Sequence, residues 1–170
     1  PNMPTVDTAV VFPGTVYFEG TQISEGRGTT RPFEIIGANY INGKDYADAL
    51  TDLNLEGVIF RPIGFMPTFQ KEAGKTCGGA FVHITNREVF KPVITGIAMA
   101  KVAFDLYPND FNWKNPPYEY VYDRNPFDVI HGSTKLREAF ERKVSIKEIQ
   151  ASWTNGEREF LRQREQYLLY

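Results

Sequence analysis

Residues 42–61 read NGKDYADALTDLNLEGVIFR, and this stretch decides the fold class. Tyr46, Ala49, Leu50 and Leu53 recur at helical spacing behind Asn42, whose side chain suits an N-cap, so an amphipathic helix is predicted over 42–54. The next apolar run, Gly57-Val58-Ile59-Phe60-Arg61, predicts a short strand stopped by Pro62. Upstream, the β-branched and aromatic residues at 15–18 predict a strand ending at Glu19; downstream, 80–84 predicts a third. Three strands mixed with helices place the chain in the α+β class (or α/β), with a small mixed β-sheet packed with helices and a helical C-terminus.

Farther out, residues 1–13 read as an extended lead-in in which Thr5 caps a helical turn through Val10, halted by Pro13-Gly14. Pro92 suits the first turn of a helix carrying Val93, Ile94, Ile97, Ala98, Val102 and Leu106, which Pro108 ends. Residues 107–128, rich in Pro, Asn and aromatics, read as an ordered surface excursion. Ser133 is a candidate cap for 134–140. Ser145-Ile146-Lys147-Glu148 is a capping box for a helix to about Trp153, and Thr154-Asn155-Gly156-Glu157 is a second box for a separate helix after it. On that last helix Phe160, Leu161, Arg164, Tyr167 and Leu168 share a face, and the apolar ending Tyr167-Leu168-Leu169-Tyr170 is expected to dock on the body of the domain.

A chain of 170 residues fits one domain, or one domain with a small appendage. Its formal charge of −2 offers no global electrostatic case for nucleic acid or an anionic membrane, and no apolar run is long enough for a transmembrane segment. The single cysteine, Cys77, leaves no internal disulfide, and no Cys-rich or HExxH zinc pattern is present, so neither a metal nor a cofactor is expected. Gly74-Lys75-Thr76 looks like the end of a phosphate-binding loop, but the required earlier glycine is Phe69. Cys77 reads best as a small buried side chain at a tight loop.

The densest chemistry lies at residues 17–34, YFEGTQISEGRGTTRPFE. Glu19, Glu25 and Glu34, with Arg27 and Arg31, surround three glycines and several hydroxyls. Paired carboxylates can supply acid, base or nucleophile in glycoside cleavage, and an arginine can hold a carboxylate through two parallel hydrogen bonds. The plainer reading is a structural network in which Arg27 clamps two carboxylates. Arg61 at a strand end, and His83, which faces away from Val82 and Ile84, are weaker candidates. The rings of 107–122 could stack on sugars or simply pack.

The segments PNMPT, YFEGTQISEGRGTTRPFE, GVIFRP, PTF and CGGAFVHIT, with the closing YLLY, resemble the NamZ-type exo-β-N-acetylmuramidases across nearly the whole chain. The resemblance implies the C-terminal domain of a two-domain protein whose Rossmann-like N-terminal domain, with a key catalytic glutamate, is absent here. It implies an active site in the cleft between the domains and release of N-acetylmuramic acid from non-reducing ends of peptidoglycan fragments. Partners would be the sugar substrate and the protein's own N-terminal domain, and a periplasmic or secreted location follows from the substrate. On this reading Glu19 and Glu25 are the catalytic candidates, and Arg27, Gly28, Thr29, Arg61 and His83 the substrate-binding ones, with Arg27 or Arg61 taking the lactyl carboxylate. The alternative is a non-catalytic glycan-binding or bracing domain.

Overall fold

The structure, a computed structural model, describes residues 3–169. The element order is α1 (Val6–Thr15), a 3-10 helix (Val16–Gly20), β1 (Ile35–Ala38), α2 (Gly43–Thr51), β2 (Val58–Phe65), β3 (Cys77–Ile84), α3 (Pro92–Leu106), α4 (Pro126–His131), α5 (Lys135–Glu141), α6 (Ile146–Arg164) and a 3-10 turn (Glu165–Tyr167). The α+β class holds. Where the sequence suggests a mixed sheet, both pairings are antiparallel, in the order β1-β3-β2.

The sheet is two-sided in the ordinary sense of an antiparallel sheet. Val58 and Phe60 of β2, Ala80 and Val82 of β3, and Ile36 and Ala38 of β1 turn into one core with Tyr46 and Leu50 of α2 and Ile97 and Met99 of α3. The fully buried Tyr46 hydroxyl donates to the Met99 carbonyl at 2.9 Å, tying α2 to α3. The other sheet face carries Ile59, Arg61, Phe81 and His83, where Arg61 pairs in register with Phe81. Asn42 caps α2 as its sequence suggests, accepting from the amides of Lys44 and Asp45. Strand β2 does not stop at Pro62 but runs on to Phe65, and β3 starts at Cys77.

Two corrections concern the N-terminal third. Residues 15–18, with strand-like composition, form the last turn of α1 and the 3-10 helix, because burial of Tyr17 and Phe18 overrides local propensity. The third strand is instead Ile35–Ala38, four residues long and interrupted by Gly37, too short to show as a periodic pattern. Thr5 does cap α1, accepting from the Thr8 amide, but the helix passes through Pro13-Gly14. The reason is tertiary. A Cβ on Gly14 would lie 1.8 Å from the Pro92 carbonyl oxygen, and one on Gly96 would lie 2.0 Å from the Gly14 oxygen, so α1 and α3 touch backbone to backbone.

The C-terminal third departs further. Thr134, not Ser133, occupies the α5 N-cap and makes no side-chain capping bond. The Ser145–Glu148 capping box is present with both reciprocal bonds. The second box starts nothing: α6 is one 19-residue helix straight through Thr154-Asn155-Gly156. Its end does not dock, for Phe160 is 61% exposed and Leu169 95% exposed; Pro1, Asn2 and Tyr170 lie outside the described residues. Among the described residues no helix is long and apolar enough to cross a membrane.

Candidate functional site

The loop after the 3-10 helix is held by backbone. The Ser24 amide donates to the Gly37 carbonyl at 2.9 Å and the reverse bond is 3.1 Å, stitching the loop to β1. The Gly26 amide donates to Ser24 Oγ at 3.1 Å, and Gly26 takes φ +77°, which glycine adopts without a Cβ penalty. The excursion at 107–125 lies against the same loop: Gln22 N donates to the Asn112 carbonyl and Lys114 N to the Gly20 carbonyl, both at 2.9 Å. Trp113 anchors it, with its ring 4.6 Å from Phe127 and 4.9 Å from Phe111. Filling the core thus accounts for part of the aromatic content; Tyr120 and Tyr122 stay exposed.

This framework brings Glu19, Glu25 and Arg27 together. Arg27 Nη2 donates to Glu19 Oε1 at 2.7 Å and Nε to Glu25 Oε1 at 3.1 Å, with the guanidinium 4.9 Å from the Phe33 ring centroid. Lys71, from the loop after β2, donates to Glu25 Oε2 at 2.8 Å, to the Phe18 carbonyl at 2.8 Å and to the Ile23 carbonyl at 3.3 Å. Tyr118 donates its hydroxyl to Glu19 Oε2 at 2.8 Å. All four carboxylate oxygens therefore have a donor. The Glu25 side chain is 4% exposed, so its two cations offset a desolvation cost that would otherwise be large. Burial pushes the Lys71 ammonium down, against the pull of Glu25. Burial, then the bond to Glu19, pushes the Tyr118 phenol up, so it remains a donor across the neutral range.

These residues line an open cavity of about 540 Å³. Gln22, Gln70, Lys114, Pro117 and Glu119 complete its wall. Three acids and three bases make the lining neutral in sum. Among the described residues Lys114 and Glu119 enter no ion pair, whereas Arg27 and Lys71 are engaged by Glu19 and Glu25. The wall therefore offers both hydrogen-bond donors and acceptors.

The other candidates lie elsewhere. Gly28 takes φ +82°, and a Cβ there would lie 2.7 Å from the Phe69 amide nitrogen; its place is set by the close approach of 68–69. Thr29 turns its hydroxyl inward to the Gly26 carbonyl at 2.6 Å. Both border a shallow depression with Met66 and Phe69, not the Glu19–Glu25 cavity. Arg61 and His83 sit on the outer sheet face, where Arg61 Nε donates to His83 Nε2 at 3.3 Å and the guanidinium lies 5.2 Å from the Phe81 centroid. Burial and the Arg61 charge hold His83 below its ordinary value. Glu34 is buried near α1, accepting from Thr5 and Thr8 and facing Arg31.

Lys71, Lys114 and Tyr118 were beyond the reach of pattern: Lys71 comes from the loop after β2 and the other two from the excursion at 107–125, whose aromatic content alone hinted at Tyr118. Cys77 is 1% exposed with its thiol pushed up to about 11, chiefly by burial. A thiol so placed is inert. Iodoacetamide at pH 8 is expected to leave it unmodified until denaturant is added; rapid labelling of the native protein would contradict this.

The fold and cavity define an α+β domain that presents a saturated acid–base cluster on a loop braced by its sheet. Residues 10–170 match the family described as exo-beta-N-acetylmuramidase NamZ, C-terminal, and the chain belongs to that family. It is 40% identical over 170 residues to the peptidoglycan beta-N-acetylmuramidase NamZ of Bacillus subtilis (strain 168), covering 100% of this chain and 39% of that protein. Crystal structures of two DUF1343 family proteins of Bacteroides fragilis NCTC 9343 are also similar. One has a TM-score of 0.84 at 25% identity, covering 100% of this chain and 44% of the other. The second has a TM-score of 0.67 at 24% identity, covering 100% and 42%, a likeness of fold. The chain spans about two-fifths of the length of these relatives.

Proposed function

We propose that this chain is the C-terminal domain of an exo-acting glycoside hydrolase that releases N-acetylmuramic acid from non-reducing ends of peptidoglycan fragments. Its cavity at Glu19, Glu25 and Arg27 forms one wall of an active-site cleft that a further, N-terminal domain completes. The observation that carries this reading is that the charge-dense stretch 17–34, inside the segment that matches the family, contributes Glu19, Gln22, Glu25 and Arg27 to the wall of a cavity rich in hydrogen-bonding groups. Location outside the cytoplasm, periplasmic or secreted, follows from the substrate.

In this cleft Glu19 and Tyr118 are the pair best placed to meet substrate. Tyr118 and Arg27 orient the Glu19 carboxylate from its two oxygens, so Glu19 suits accepting hydrogen bonds from sugar hydroxyls or an attacking water. Glu25 is the more deeply buried and acts through Arg27 and Lys71. In the full-length protein, Glu19→Gln assayed on a chromogenic muramide is expected to lower kcat by about 100-fold, the span of a lost acid–base contact, and Tyr118→Phe by about 10-fold through misorientation. Unchanged kcat in both variants would remove Glu19 from the chemistry.

The second reading, a domain that braces or binds without chemistry, is favoured by the saturation of both carboxylates. It predicts a rise in KM at constant kcat in the same two variants.

A further inference from the structure

The second half of α6 carries large apolar side chains in the open. Among the described residues of the helix only Ile149 is buried, with Ile146 and Trp153 packed partly against the core. Past Trp153 the helix leaves the domain. The 11 residues from 154 to 164 extend about 16 Å at the rise of an α-helix. A Cβ placed on Gly156 would find nothing within 4 Å. At about 100° per residue, Phe160, Leu161 and Arg164 continue the face that Trp153 presents to the core, and Tyr167 follows. Phe160 is 61% exposed, Leu161 49% and Tyr167 77%. A helix this short is marginal in water by itself and is normally kept by burying one face.

We propose that this stripe is a docking helix, seated in an apolar groove on the further domain that the relatives carry outside the matched segment. The inference rests on the two-domain reading above and names the contact surface. Roughly three-fifths of the Bacillus subtilis relative lies outside the part this chain matches, and among the described residues the stripe stays exposed. Charge disfavours a lipid surface: the segment balances Glu157, Glu159 and Glu165 against Arg158, Arg162 and Arg164, whereas helices that lie on anionic membranes carry a cationic polar face. Helix-in-groove recognition needs anchors at such spacing. The helix would thus fasten the two walls of the cleft at a point away from the Glu19–Glu25 cavity, since none of its residues lines that cavity.

Limited trypsin digestion of the full-length protein tests this directly, because three arginines stand on the exposed segment. The native protein is expected to resist cleavage at Arg158, Arg162 and Arg164. The variant Phe160→Glu/Leu161→Glu is expected to be cut there about 100-fold faster, as a released helix opens locally, while Cys77 stays unreactive and so reports an intact domain. Equal cleavage of native and variant protein overturns the proposal. So does resistance that disappears on dilution with a dimer in sedimentation, which would assign the stripe to a second copy, and so does co-sedimentation with phosphatidylglycerol vesicles that the double variant abolishes. Failure of the proposed activity reads out separately: a full-length protein that resists trypsin at these arginines yet releases no N-acetylmuramic acid keeps the docking helix and loses the function.

Discussion

Replacing Arg27 with methionine in the full-length protein is expected to destabilise it by about 3 kcal/mol, the scale of breaking a buried ion pair by removing one partner. The same change is expected to lower kcat/KM by about 100-fold, since the group it displaces lines the cavity. Arg27 is the one side chain that touches both Glu19 and Glu25, at 2.7 and 3.1 Å. Without it Glu25 keeps Lys71 and Glu19 keeps only the Tyr118 hydroxyl, and the repulsion between the two carboxylates is no longer offset by a bridging cation. Glu19 is 16% exposed and so turns toward solvent, away from its place in the cavity wall. Arg27→Lys keeps the charge but loses the fork that reaches two acids with two nitrogens, and should recover less than half of either loss. Arg27→Met/Glu19→Gln should regain stability without activity. Urea denaturation and the chromogenic muramide assay give both readings. A methionine variant with a native midpoint and native kcat/KM would show that the cluster is neither structural nor functional.

Gly96→Ala is expected to cost about 3 kcal/mol or more, at the upper end for overpacking, because the obstacle is backbone rather than a side chain that can move. The added methyl would lie 2.0 Å from the Gly14 oxygen and 2.2 Å from its carbon. Relief requires α1 to back away from α3. Because α1 runs without a break into the 3-10 helix that carries Glu19, any such retreat is transmitted to the cavity. The variant should therefore show a lowered urea midpoint together with a reduced kcat, though it lies in no contact with the site. Gly132→Ala is the contrasting position: its φ of +83° strains an alanine, but nothing lies within 4 Å, so only the smaller conformational penalty applies. An unaltered midpoint for Gly96→Ala would mean that the two helices slide freely, which the interhelical geometry denies.

What could be read in the chain followed how local the cause was. The α2 helix and its Asn42 cap, the Ser145–Glu148 box, and the cores of β2 and β3 arise from interactions within a few residues, and their patterns showed them. Errors came where a distant surface overruled a neighbour. Residues 15–18 have the composition of a strand yet wind into a helix to bury Tyr17 and Phe18. Pro13 has the marks of a stop, yet α1 continues because Gly14 must lie on α3.

The candidate site divides in the same way. That residues 17–34 hold a dense set of acids, glycines and an arginine is a property of the chain alone, and it suffices to place Glu19, Glu25 and Arg27 within reach of one another. The local patterns of helix and strand likewise set the α+β class, and the composition sets the lone cysteine and the near-neutral charge. Only the tertiary structure shows that Lys71 and Tyr118 occupy the remaining carboxylate oxygens, that Arg61 and His83 belong to the opposite face of the sheet, and that the end of α6 stands uncovered. The physical reason is distance along the chain. Lys71 reaches Glu25 across 46 residues and Tyr118 reaches Glu19 across 99; such pairings depend on how sheet and helices pack, and no local pattern of residues encodes them.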